Sequence, residues 1–429
     1  MRFDRSVPEV ILLFAPCMLG GLGVMSVLMK LNGPFLFILA TLMIDAIGFG
    51  IVFPIMPDLM DRVGAGSTAE GALWGGVMMS AYAAAMFLFG PIIGSLSDAY
   101  GRRPILILAL ATLALDYVIM AMAQTYWVLL VGRIIAGMAG ATYITATAFI
   151  SDITKPEERG AAFGMIGAAF GIGFVFGPAL GGLASGWHIT APFWIAAALS
   201  TLNVIFGIFV LPESLKPENR RSFGRRDLNP FGAIVRAFAI PGLAIPLICI
   251  FVFEVANMVY PTLWAFWGRE VFGWGGFTIG LTLSAYGILI AVVQAGLLPR
   301  LTKRYGDYRT LMIATGAAVI GLLGFGFSTA AWAVALVLPI ATLADMAPPL
   351  VTAFAANRVG EDRQGLVQGV IASLASVAAV VAPLAMTAVF QRFVSAEGLY
   401  FPGAPFLIAA VLVVAIVPLL IRLNPNKKP

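Results

Sequence analysis

The chain is 429 residues long, 60% of them hydrophobic and only 11% charged, with a formal net charge of +5, one histidine and two cysteines. With a mean hydropathy of +0.97, so much apolar surface exceeds what a soluble core can hide, and the chain belongs in a bilayer. Closed barrels alternate polar and apolar residues, whereas the long runs here do not, which leaves an all-α membrane protein.

In chain order, residues 1–33 come first as an extension of open status. Val10 to Met29 is apolar but broken by Pro16 and by Gly20, Gly21 and Gly23. It reads as an extra spanning helix, as an interfacial or signal-like piece, or as upstream extension of a chain that starts at Met29. Twelve runs near the roughly 20 residues a spanning helix needs then begin near Pro34, Ala72, Pro104, Trp127, Gly160, Ala191, Gly242, Phe277, Arg309, Trp332, Gly365 and Ala404. Tyr100-Gly101 recurs as Tyr305-Gly306, Glu158-Arg159 as Asp362-Arg363, and Gly177-Pro178 as Ala382-Pro383, at offsets of 204 or 205 residues. Two six-helix halves follow, 34–212 and 237–423. The polar, basic stretch 213–236 between them reads as a cytoplasmic linker, and 424–429 as a cytoplasmic tail.

Orientation comes from the cations. Gly94-Ser-Leu-Ser-Asp98-Ala-Tyr-Gly101-Arg102-Arg103-Pro104 is a charged turn clamped between apolar stretches, and it belongs on the cytoplasmic face. That assignment puts nearly all lysines and arginines of the core inside and leaves only Arg62, Arg269 and Arg392 outside. The net charge is therefore a topology signal rather than a nucleic-acid one. Asp98, Arg102 and Arg103 form a candidate gate, which Asp152, Glu158 and Arg159 could join.

Five ionisable residues fall inside the runs, where a charge costs about 2.5–3.5 kcal/mol at the centre of a helix. Asp45 and Asp116 lie near mid-depth, and Arg133 follows on the next helix at a depth that permits an ion pair with Asp116. Such a pair either merely ties two helices together or joins Asp45 in holding and releasing a proton as helices move. Glu254, and Asp345 just before Pro348-Pro349, are acids at membrane depth in the second half. They read either as wetted helix-end acids or as a place for a proton or cationic substrate. Phe49, Phe170, Phe174, Trp264, Phe266 and Trp267 are candidates to line an amphipathic cavity, with plain packing as the alternative. Cys17 and Cys249 have no partner at disulfide or metal spacing. His188, in an external loop, supplies no catalytic constellation, so an enzyme is not expected, and neither is a cofactor.

The sequence resembles the tetracycline/proton antiporters of the major facilitator superfamily from about Leu36 to Arg422. The likeness is carried by Asp45 to Pro57, by Gly94 to Pro104, by Ala114 to Tyr117 leading into Val131 to Gly137, and by Leu211 to Ser214 with Leu228 to Pro230. A fifth stretch, Gly164, Gly173, Gly177, Pro178, Gly181 and Gly182, has the spacing of the superfamily's antiporter motif. Small residues there let helix backbones approach closely, and a proline supplies a kink.

The resemblance implies a monomeric twelve-helix exporter in the cytoplasmic (inner) membrane that moves an amphipathic drug outward against protons. Its cargo would be tetracycline-like, carried as a divalent-metal chelate. It also implies coupling roles for Asp45, Asp116 and Arg133. One departure stands out: the membrane histidine and aspartate of the family's second half are replaced here by Ile290 and Ala318. Glu254 and Asp345 are the candidate replacements. The alternative expectation is a multidrug or metabolite transporter of the same superfamily with different substrate or coupling.

Overall fold

The computed structural model describes residues 33–140, 142–220, 238, 240, 242–360, 363–395 and 399–424. The extension, most of the linker, the tail, Cys17 and Asp362 lie outside the described residues. Among the described residues, twelve helices are long and apolar enough to span a membrane: α1 Gly33–Arg62, α2 Thr68–Tyr100, α3 Arg102–Met122, α4 Tyr126–Ile153, α5 Pro156–Ser185, α6 Ala191–Val210, α7 Ala244–Phe272, α8 Gly276–Tyr305, α9 Asp307–Gly326, α10 Ala331–Ala356, α11 Gln364–Val394 and α12 Ala404–Ile421. Each begins within four residues of its predicted start, because apolar run length and flanking charge set both ends.

Local chemistry places the termini. Ser67 caps α2, its hydroxyl accepting the Glu70 amide at 3.2 Å, while the Glu70 carboxylate accepts the Gly66 amide at 2.9 Å. This reciprocal arrangement uses up two otherwise orphaned donors. The internal repeat is visible in the backbone: α2 ends at Gly101 and α8 at Gly306, with φ of 107° and 79°. A side chain is strained in that region, so glycine ends both helices.

The halves also pack alike. In the first, α1 lies on α5 and α3 on α6; in the second, α7 lies on α11 and α9 on α12. Two further seams, α2 with α11 and α5 with α8, join one half to the other, and each carries a proline, Pro383 or Pro178, inside a helix. Gly76 of α2 meets Thr387 and the Pro383 carbonyl, and Gly280 of α8 meets the Pro178 carbonyl. The Ser284 hydroxyl donates to the Val175 carbonyl at 2.6 Å. Glycine is required at these points because a methyl group would collide with the opposing backbone or side chain.

These contacts close the outer part of the seams. Towards the cytoplasm, α5 stays packed within its own half through Ala162, Met165 and Ile166, while Gly160, Gly164 and Gly167 face open space. The molecule is thus shut outside and open inside.

Candidate functional site

A cavity of about 1000 Å³ fills the opening between the halves. Asp45, Phe49, Tyr82, Arg133 and Phe170 lie in its wall. Gly94, Asp98 and Arg102 stand at its cytoplasmic end, and Ala372, Ser373 and Ser376 of α11 close the far side. Asp45 takes a hydrogen bond from Thr142 of α4, yet its Oδ1 is buried with no partner. A lone polar oxygen in an apolar wall is costly unless a ligand or proton satisfies it.

Beside it, Asp116 of α3 and Arg133 of α4 are ion-paired, and both are buried, at 1% and 7% exposure. Gly132 allows this approach, since a Cβ there would stand 3.0 Å from Asp116 Oδ1. The Arg133 guanidinium also lies 5.5 Å from the Tyr82 ring centroid, a distance at which the ring face attracts a cation. The Tyr117 hydroxyl reaches α1 at Gly48, one turn from Asp45. The first half therefore assembles one acid with a free oxygen beside a charge-balanced pair.

The second half is built differently. α10 breaks into Ala331–Thr342, a 3-10 turn Leu343–Met346 and Ala347–Ala356, and Asp345 sits in the turn. Tyr286 of α8 donates to Asp345 Oδ2 at 2.8 Å, and Asp345 also feels the Glu254 carboxylate of α7. Ile290 and Ala318 bring no ionisable group to this half. His188 is exposed and bonds Thr190 at 2.8 Å.

Of the aromatic candidates, Phe49 and Phe170 line the cavity, but the other four do not. Phe174 stacks edge-on against Phe53 at 6.1 Å. Trp264, Phe266 and Trp267 are 3%, 2% and 1% exposed; the two tryptophans pack with Tyr260, Phe325 and Phe406 into a core cluster, and Phe266 lies against Gly71 and Gly75 of α2. For these four the alternative of plain packing holds: interlocked rings bury more area against each other than against a water-filled space.

The candidate cytoplasmic gate is a network around Arg102. Its guanidinium pairs with Asp98, donates to Asp152 at 3.1 Å and donates to Ser97 at 3.1 Å. The Glu213 carboxylate accepts the Arg102 and Arg103 amides at 2.8 and 3.3 Å, and Arg103 donates to the Ile208 carbonyl at 2.6 Å. Asp152 joins, whereas Arg159 turns to the Ser151 carbonyl at 3.1 Å. All these residues belong to the first half except Glu213, the first residue of the linker, so in this inward-open state the network ties α2, α3, α4, the end of α6 and the start of the linker together. On the outer face, Arg269 of α7 reaches Asp58 and Asp61 of α1 at 3.2 and 2.5 Å, an ion pair that does cross between halves.

In the α5 motif, Gly173, Gly177 and Gly181 seat on the Met43, Ile47 and Ile51 carbonyls of α1, and Gly182 seats on Gly276 of α8. Gly164 touches nothing within 4 Å. Sequence reasoning missed Tyr82, Tyr117, Thr142, Glu213, Tyr286 and the Arg269 pair. Only Arg269 carried a signal, as a cation on the wrong side of the charge bias, with two aspartates three residues apart at the end of α1.

Residues 38–383 match the family model of the Major Facilitator Superfamily. The tetracycline resistance protein, class C, of Escherichia coli is 35% identical over 395 residues, covering 92% of this chain and 98% of that protein. The class G protein of Vibrio anguillarum is 33% identical, covering 88% and 95%. Among solved structures, the nucleoside transporter NupG superposes with a TM-score of 0.72 at 15% identity, covering 92% of this chain and all of that one. The human organic anion transporter MFSD10 (TETRAN) gives 0.66 at 22%, covering 90% and 98%. Those two likenesses speak for the fold alone. Together with the twelve spans, the family match and the curated relatives make this a drug efflux transporter of the inner membrane and not an enzyme: the chain belongs to the major facilitator superfamily, among its tetracycline-resistance-like drug exporters.

Proposed function

We propose that the protein exports a tetracycline-like amphipathic drug, carried as a divalent-metal chelate, in exchange for protons. The observation that carries this reading is the inward-open cavity with the free Asp45 oxygen in its wall. A carboxylate in an aromatic, largely apolar pocket suits a flat amphipathic molecule with a cationic or metal-bearing edge. Phe49, Tyr82 and Phe170 would hold its apolar body, and Asp45 its charge.

The cycle follows from the two seams. Drug enters from the cytoplasm and occupies Asp45. The halves then rock about the proline-marked crossings of α2 with α11 and α5 with α8, the outer pairing of Arg269 opens, and a proton from outside replaces the drug on Asp45. The Asp116–Arg133 pair sets the local charge and holds α3 to α4 during the motion. Because both seams join halves of a single chain, a monomer suffices.

The test uses everted membrane vesicles under an imposed pH gradient, with a fluorescent pH reporter, tetracycline with magnesium, and a panel of lipophilic cations. Drug-dependent proton release in the wild type that is lost in Asp45→Asn supports the reading. Proton release with the lipophilic cations but not with tetracycline reassigns the cargo. No release with any drug overturns the exchange.

A further inference from the structure

The second half carries an acid centre that the drug cavity does not use. Asp345 lies in the 3-10 break of α10, and the part of α8 packed on that break, Val293–Leu297, is a π-helical turn. Two irregular segments in contact are unusual inside a membrane, because each leaves backbone groups out of the regular helical ladder. Tyr286 of α8 donates a hydrogen bond to Asp345, and Glu254 and Tyr260 of α7 are the further ionisable groups within electrostatic range of it. Tyr260 is 7% exposed, its ring centroid lies 5.8 Å from that of Tyr286, and its hydroxyl has no partner. Two acids and a spare buried hydroxyl, walled by Phe325 and Phe406, form a site built for something small and positive.

We infer that Asp345 and Glu254, with Tyr286 and Tyr260, hold a single exchangeable proton and form a coupling site separate from the drug cavity. A hard metal cation asks for about six oxygen ligands gathered at one point, and among the described residues no three acidic, histidine or cysteine side chains gather in that way. A proton needs one. Facing carboxylates are the groups that share one.

The link to transport runs through α8. The face of α8 formed by Gly280, Ser284 and Gly287 seats on Pro178 and Val175 of α5, and Tyr286, between the last two, reaches Asp345. A donated hydroxyl occupies the oxygen lone pair that a proton would otherwise take. In this inward-open state Tyr286 is engaged: the acid O–H bond has broken, its electron pair stays on the carboxylate, and the proton has passed to water on the cytoplasmic side. When the outer part of the α5–α8 seam opens, Tyr286 withdraws with α8, and a proton from external water binds Asp345 or Glu254. Uptake in the drug-releasing state and release in the drug-accepting state is the order antiport requires. That this proton is exchanged for drug too, beside the one that Asp45 carries, rests on the export reading above; that the acid pair holds a proton at all does not.

The first test therefore needs no drug. Infrared difference spectra of the purified full-length protein in detergent, stepped through pH, should show a protonated-carboxyl band that disappears in Asp345→Asn and shifts in Tyr286→Phe, a milder variant that keeps the ring. An unchanged spectrum in both, or a band that follows sodium instead of pH, would overturn the proton site. In everted vesicles, Asp345→Asn should lower pH-driven drug accumulation by roughly tenfold, and Asp345→Glu should restore most of it. Undiminished accumulation in Asp345→Asn would remove the site from coupling. A titrating band in a wild type that moves no drug would instead overturn the export reading and leave the proton site standing.

Discussion

The two halves of this molecule repeat one architecture and spend their buried charges differently. In the first, Asp116 is matched by Arg133, and Asp45 keeps an oxygen without a partner in the wall of a large cavity. In the second, Asp345 faces another acid and two tyrosines, inside packed aromatic rings. A cation beside an acid makes a fixed joint, while two acids within range of each other's charge make a group whose charge can change. Duplication supplied the frame, and the side chains placed in it make a drug cavity with one acid in the first half and an acid pair apart from that cavity in the second.

The comparison breaks most sharply at Asp116. Asp116→Asn leaves Arg133 buried without its counter-charge, and should lower stability by roughly 3 kcal/mol. Thermal unfolding in detergent reads this as a large fall in Tm. Replacing both members with leucine should recover much of the loss; if transport stays dead in that stable double variant, the pair does more than join helices. Glu254→Gln makes the opposite case. Removing one of two facing acids relieves repulsion, so Tm should hold or rise slightly, and a fall as large as that of Asp116→Asn would contradict the contrast between the halves. The smallest expected effect lies at the tie between them. Arg269 is a third exposed, and each of its pairings is worth about 0.2–1 kcal/mol. Arg269→Ala should therefore raise the alkylation rate of a Thr387→Cys probe, buried where α11 meets α2, only a few-fold.

Much of this was readable from the chain. The twelve spans, the two halves and the Asp116–Arg133 pair follow from run length, a 205-residue offset and depth along one helical hairpin, all of them local or periodic. What stayed hidden depends on residues far apart in sequence. Glu213 meets Arg102 across 111 positions, Tyr286 meets Asp345 across 59, and Arg269 meets Asp61 across 208. The aromatic residues show the same limit from another side. Phe49 and Trp264 look alike as apolar rings in spanning runs, and only the packing of whole helices decides that one faces a cavity and the other a core.

The central claim is that drug and proton compete through Asp45. The most direct measurement binds tetracycline with magnesium to the purified protein in weak buffer and follows drug fluorescence and a pH indicator together. The account predicts protons released in step with drug bound in the wild type, and neither signal in Asp45→Asn. Drug binding without proton release, with equal binding by Asp45→Asn, would contradict it.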